Sequence, residues 1–123
     1  MSKAARLKGQ SGEREVCKLL GDALGLSLSR TLDQTRDGGC DIIVGDWAVE
    51  VKRQERLNVK EWWAQAVRQA KDLNKQPVLF YRQSRDDWHV IMPFALDRNP
   101  AIYWVHGDTD LFLERVGNIH GDS

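Results

Sequence analysis

Asp41, Glu50 and Lys52 stand in the stretch CDIIVGDWAVEVKR with the spacing D-x8-E-x-K. Two carboxylates and an ammonium brought to one point suit a hard divalent cation held by oxygen ligands, with the lysine beside it to handle a nucleophilic water. They meet only if the chain between them folds back. Asp41 is followed by Ile42, Ile43 and Val44, and Gly45-Asp46 separates these from the run Trp47 to Lys52. Two β-rich runs around a Gly-Asp turn signal predict a hairpin. Residues i and i+2 of a strand share a face, so Glu50 and Lys52 point the same way, with Ala48 before them. Asp41, at the start of the partner strand, falls near Glu50 in a tight hairpin. A solvated hairpin face also carries charge. Here, however, the charged pair interleaves with Val49 and Val51 in a strand with few other polar residues.

The flanking elements follow from periodicity and punctuation. Residues 1–8 read as a flexible basic arm. A helix is expected over 11–24, capped by Ser11, with Val16, Leu19, Leu20, Ala23 and Leu24 forming the buried stripe and Cys17 beside it. Gly25 stops it. The alternation LSLSRTL over 26–32 predicts a half-buried strand, and 33–39 (DQTRDGG) a loop. Asn58 opens a second helix to about Leu73, with Glu61 three residues on and Trp62, Ala66, Val67 and Ala70 as its apolar stripe. Val78 to Tyr81 suits a central strand buried on both faces. Trp88 to Met92 and Ile102 to Val105 read as further strands, Pro93 to Leu96 as a helical turn, and Thr109 to Val116 as a short helix capped by Thr109 or, alternatively, a strand. The order is a mixed β-sheet with α-helices packed against it, an α/β fold. One domain over 1–123 is expected, with 93–123 a tail of unassigned role.

Bulk properties bound the rest. The chain has 123 residues, 41% hydrophobic and 29% charged, the proportions of a soluble globular domain. No apolar run approaches the roughly 18 residues a membrane span needs. The start, MSKAARLKGQSGERE, has no apolar signal-peptide core. Cys17 and Cys40 form neither a metal-type spacing nor a disulfide framework, so a cytoplasmic, reduced protein is expected. Net charge is zero, yet residues 1–85 carry 16 Lys+Arg against 11 Asp+Glu, and residues 86–123 carry 2 against 7. That asymmetry permits a phosphate-binding face, and a mixed solvated surface equally. Trp47, Trp88 and Trp104, in strands, are expected in the core. Trp62 and Trp63 are adjacent, so one of them is expected at an interface or against DNA. His89, His106 and His120 lack ligand spacing and read as incidental.

Glu13, Asp41 and Glu50-x-Lys52, in this order, resemble the PD-(D/E)xK nuclease superfamily. The closer resemblance is to archaeal-type Holliday junction resolvases and their phage or prophage relatives. It rests on Lys8-Gly9-Gln10-Ser11-Gly12-Glu13-Arg14-Glu15 at the entry to the first helix, on Gly39-Cys40-Asp41-Ile42-Ile43 and Val49-Glu50-Val51-Lys52 as core strands, on Pro77 to Phe80, and on Trp62-Trp63-Ala64-Gln65-Ala66, which is similar to phage versions. It covers roughly residues 8–92. Many superfamily members have Pro before the first Asp, where this chain has Cys40.

The resemblance implies a restriction-endonuclease-like fold and metal-dependent hydrolysis of DNA phosphodiesters. Asp41 and Glu50 would ligate Mg2+, or Mn2+ as a substitute, with the Val51 carbonyl and Glu13 completing the site. Lys52 would orient or activate the attacking water. Arg14 is open to two roles, a phosphate contact or an ion pair with an acidic neighbour. Arg30 reads as a phosphate contact, Arg36 as a contact or a solvated loop residue, and Gln65 as a site-supporting amide or a surface one. The implied substrate is branched DNA, a four-way junction, cut by a homodimer. Two alternatives stay open: a related nuclease acting on flaps, ends or duplex, and a catalytically silent DNA-binding module.

Overall fold

The computed structural model describes residues 3–28, 42–94 and 99–121. Three helices and five strands follow in the order α1 (Lys3–Leu24), β1 (Ile42–Val44), β2 (Trp47–Arg53), α2 (Val59–Asp72), β3 (Gln76–Arg82), β4 (His89–Pro93), β5 (Trp104–Asp108) and α3 (Thr109–Gly121). The strands form one sheet in sequence order. β2 and β3 are parallel, as the α2 crossover between them requires; every other pair is antiparallel. The expected mixed α/β architecture is what forms.

Strand alternation divides the sheet into two faces. Trp47, Val49, Val51, Val78, Phe80, Val90 and Met92 pack with Val16 and Leu20 of α1 and Phe112 and Val116 of α3. The opposite face carries Ala48, Leu79, Tyr81 and Ile91 and is covered by α2 through Trp62, Trp63, Ala66 and Ala70. Glu50 and Lys52 alternate with Val49 and Val51, so they lie on the α2 face.

The hairpin forms as the sequence indicates. Val44 pairs with Trp47 across the two-residue loop, and Gly45 takes φ +56°, the positive value that a II′-type hairpin loop demands at its first position. Several details differ from expectation. The residues read as an arm are helical from Lys3 onward. Ser11 is therefore not a cap; it lies inside α1 and its hydroxyl accepts from Arg53 Nη1 at 3.1 Å. Leu26 to Leu28 are irregular rather than a strand, and the rest of that segment and the loop after it lie outside the described residues. Asn58 precedes α2, but its side chain donates to Glu61 Oε2 instead of capping the helix. At α3 the cap is Asp108, not Thr109: its Oδ1 accepts from the Leu111 amide at 3.1 Å. The last strand falls at Trp104–Asp108, two residues beyond its expected start.

The tryptophans also correct the sequence reading. Trp62 and Trp63 are both buried, because α2 lies flat on a wide sheet. Trp62 meets Tyr81, with ring centroids 6.1 Å apart, and Trp63 meets Trp104 at 6.4 Å. Trp104 itself is 41% exposed, since β5 is the sheet edge and α2 reaches it only through Trp63.

Candidate active site

β2 positions the two chemistry-bearing residues that the structure describes together. Glu50 is 4% exposed, and among the described residues no other charged side chain is as deeply buried. Lys52 Nζ lies 3.7 Å from Glu50 Oε1. That is an ion pair beyond direct hydrogen-bond length, a spacing at which a water can bridge. A buried carboxylate is costly unless its charge is matched, and here the match is a partly exposed ammonium on the next residue of the same face. Asp41 lies outside the described residues, as do Arg30 and Arg36. Ile42, which follows Asp41 in the chain, pairs with Val49, the neighbour of Glu50. Among the described residues no group of three or more His, Cys, Asp or Glu could hold a metal.

α1 packs across β2, with Gly12, Val16 and Leu20 inward. At about 100° per residue, Glu13 and Glu15 project from opposite flanks of that buried stripe. Glu15 leans over the strand ends: Oε2 accepts from Arg53 Nη1 at 3.0 Å and Oε1 from Arg82 Nη2 at 2.7 Å. Arg53 and Arg82 are cross-strand partners in the β2–β3 pair. Glu15 thus marks the β3 side of α1, and Glu13, half-buried on the other flank, faces the β1 side, where Ile42 follows Asp41. Arg14 points outward and is exposed. With Lys18, Ser27 and Leu28 it lines an open groove of about 500 Å³ on the outer side of α1, so the structure does not bring it to Glu50 and Lys52.

α2 supplies amides on the same face as the pair. Ala70 packs on Ala48, and Trp62 on Tyr81, the cross-strand partner of Lys52. Between these levels, two strand residues advance about 6.6 Å and four helix residues about 6 Å. Ala66 is therefore level with Glu50, and Gln65 stands one residue, about 1.5 Å, from that level along the helix. Trp63 leans toward β5, so Gln65 and Gln69 occupy the flank facing β2. Gln69 is the more buried, at 8% exposed, and its Oε1 has no hydrogen-bond partner among the described residues. The sequence reading missed Gln69; its phase one turn after Gln65 was the available signal.

The sequence reading also missed a polar row on this face. Lys52, Tyr81, His89 and Asp108 are successive cross-strand partners over β2, β3, β4 and β5. Tyr81 stacks on His89 and His106, with centroids at 5.2 and 5.6 Å. Its hydroxyl meets His106 Nε2 at 2.8 Å, and His89 Nε2 meets Asp86 Oδ2 at 2.9 Å. Burial, then the charge of His89, holds His106 below the usual imidazole value. Burial, then Asp86, pushes the Tyr81 hydroxyl up. Asp86 is held down, first by its hydrogen bond with His89 and then by the Asp87 amide. His89 and His106 are thus parts of a cluster, not incidental. Alternation within QPVLFYR, HVIMP and WVHGD placed them on one face, but only the strand order brings them together.

A mixed sheet with helices on both faces, a short antiparallel hairpin and E-x-K on its second strand is the PD-(D/E)xK nuclease fold. The chain belongs to the family described as "Phage putative PDDEXK endonuclease", which matches residues 4–103. Nucleases of this superfamily generally depend on a divalent metal. The solved structure of Hjc from Archaeoglobus fulgidus, a Holliday junction resolvase from an archaeal hyperthermophile, is similar in fold over 87% of this chain and 96% of that one, with a TM-score of 0.56 and 18% identity. No curated protein matches the chain. Among the described residues no helix is long and apolar enough to cross a membrane.

Proposed function

We propose that this protein is a Mg2+-dependent endodeoxyribonuclease that cuts branched DNA, a four-way junction foremost, as a homodimer. The observation that carries the reading is the buried Glu50 carboxylate beside Lys52 on one face of β2, 3.7 Å apart. A protected oxygen donor in the middle of β2, with an ammonium next to it, fits a hard divalent cation that keeps several waters and takes one or two carboxylates. Asp41 and Glu50, with the Val51 carbonyl and Glu13, would hold Mg2+ or Mn2+. Once bound, the ion would polarise the phosphoryl oxygen.

Lys52, a donor without acceptor capacity, orients the attacking water and offsets charge that develops on the phosphate. The water oxygen bonds to phosphorus, one ester P–O bond breaks, and the leaving oxygen takes a proton. Gln65, about one helix residue from the level of Glu50 on α2, supports the carboxylate side of the site. Arg30 and Arg36 are proposed as contacts to DNA phosphates. Arg14, on the outer side of α1, is proposed only for a phosphate remote from the cut. A two-fold dimer suits the symmetry of a four-way junction.

The test is cleavage of a synthetic four-way junction beside linear duplex of the same sequence, in Mg2+ or EDTA, with Lys52→Ala and Asp41→Asn as controls. Paired symmetric nicks at the junction, lost in EDTA and in both variants, are expected. Metal-dependent cutting of all substrates alike would keep the nuclease and remove the junction preference. Tight binding without cutting in Mg2+ or Mn2+ would leave a DNA-binding module.

A further inference from the structure

Arg82 is held from four directions. Its Nη2 donates to Glu15, its Nη1 donates to the Gln83 and Asp86 carbonyls at 3.1 and 3.4 Å, and its guanidinium lies 5.2 Å from the centre of the Trp88 ring. Arg53 is tied to both Ser11 and Glu15 of α1. The strand ends therefore present two fixed guanidinium groups side by side, and one carboxylate of α1 is shared between them. Directly beneath, α1 approaches β2 closely: a Cβ on Gly12 would stand 2.9 Å from Arg53 Cβ. A close-packed helix with a smooth small-residue contact can still roll about its axis. The shared carboxylate removes that freedom, because rolling α1 would break both charge-assisted bonds at once.

We propose that Glu15 is a positioning residue: its bridge to Arg53 and Arg82 sets the roll of α1 over β2, and so the placement of Glu13 at the β1 side of β2. The inference rests on the reading above, in which Glu13 belongs to the acidic site. Glu13 and Glu15 flank the buried stripe on opposite sides, so an outward roll of one flank displaces the other. Glu15 does not touch the reacting atoms. It acts on metal affinity through Glu13, in the way that outer partners of metal ligands set affinity over about 10- to 100-fold.

The experiment compares wild type, Glu15→Gln, Glu13→Gln and Val116→Ala, the last a core truncation in α3 that lowers stability without removing any bond of the Glu15 bridge. Two readouts are taken: the Mn2+ concentration giving half of the metal-induced rise in Tm without DNA, and the metal concentration giving half-maximal DNA cleavage. Glu15→Gln is expected to raise both at least about tenfold while kcat at saturating metal stays within about threefold. Val116→Ala lowers Tm and leaves both half-saturation values unchanged. Glu15→Asp keeps the charge but falls one methylene short of the arginines, and is expected to shift both values in the same direction should the Gln variant not fold. Glu15 variants with wild-type half-saturation beside an impaired Glu13→Gln would overturn this inference alone. A wild type with no Mn2+ response and no metal-dependent cleavage would overturn both it and the nuclease reading.

Discussion

The Tyr81 hydroxyl on β3 meets Nε2 of His106 on β5 at 2.8 Å, reaching over β4. Burial of these two groups makes stability depend on pH in two windows. His106 is held below its ordinary value of 6.5 by burial and by His89. Between that lowered value and 6.5 the unfolded chain binds more protons, so stability rises with pH there and is lost on acidification. Tyr81 is raised above 10.0 by burial and by Asp86. Its contribution is present below pH 10 and is lost as pH climbs through the raised value. Thermal unfolding between pH 5 and 11 is expected to show both limbs. His106→Gln should flatten the acidic limb and Tyr81→Phe the alkaline one. Unchanged slopes in both variants would remove the cluster as their source.

Glu50 separates function from stability. If its burial serves a metal site, Glu50→Gln removes a buried charge and leaves partly exposed Lys52 able to reach water. Tm should then hold or rise, while metal-dependent cleavage falls about 10²-fold or more. If the ion pair serves only the fold, breaking it costs about 3–5 kcal/mol and Tm falls steeply. Thermal melts of both proteins without metal distinguish the two.

What could be read from the sequence was local. The hairpin follows from alternation on either side of Gly45-Asp46, and that alternation alone puts Glu50 and Lys52 on one face. α2 follows from its apolar stripe, yet Trp62 and Trp63 were set apart by a helical wheel that assumes a narrow buried face. A helix lying on a five-stranded sheet buries a wider arc. α1 begins eight residues earlier than the cap signal at Ser11 suggests, because Gly9 and the charges of KAARLKGQ weaken the periodicity without breaking the helix. Tyr81, His89 and His106 were not legible as a cluster, since their meeting depends on strand order and register. The Glu15 bridge, with partners 38 and 67 residues away, was illegible for the same reason. Of the expected site, Asp41, Arg30 and Arg36 fall outside the described residues.

The family match ends at residue 103, but the fold does not. α3 sends Phe112 into the core, edge-on to Trp47 and Phe80 with centroids at 5.3 and 5.4 Å, and Val116 is fully buried beside it. Removing one such phenylalanine costs about 3–5 kcal/mol, against a total stability of about 5–15 kcal/mol for a domain. Phe112→Ala should therefore lose about 3–5 kcal/mol in urea unfolding. A chain ending at Tyr103 also lacks the β5 edge and should show no cooperative transition. A cooperative melt of the 1–103 fragment would show that β5 and α3 are additions to a core that stands without them.

Gly9 and Gly12 lie one turn apart on α1 and should respond to alanine with opposite signs. Replacing a helical glycine gains about 0.5–1 kcal/mol from backbone entropy. At Gly9 a Cβ meets nothing within 4 Å, so Gly9→Ala should stabilise by about that amount. At Gly12 the Cβ would stand 2.9 Å from Arg53 Cβ and 3.6 Å from Val51 Cγ1. Arg53 Cβ is fixed to the β2 backbone and cannot swing aside. Overpacking costs about 1–3 kcal/mol, which outweighs the entropic gain, so Gly12→Ala should destabilise by about 1 kcal/mol and push α1 off β2. Because α1 carries Glu13, the same substitution should weaken metal-dependent cleavage, whereas Gly9→Ala should not. Paired urea titrations and cleavage assays check both signs. A stabilising Gly12→Ala with full activity would mean that α1 sits farther from β2 than the Gly12–Arg53 approach indicates.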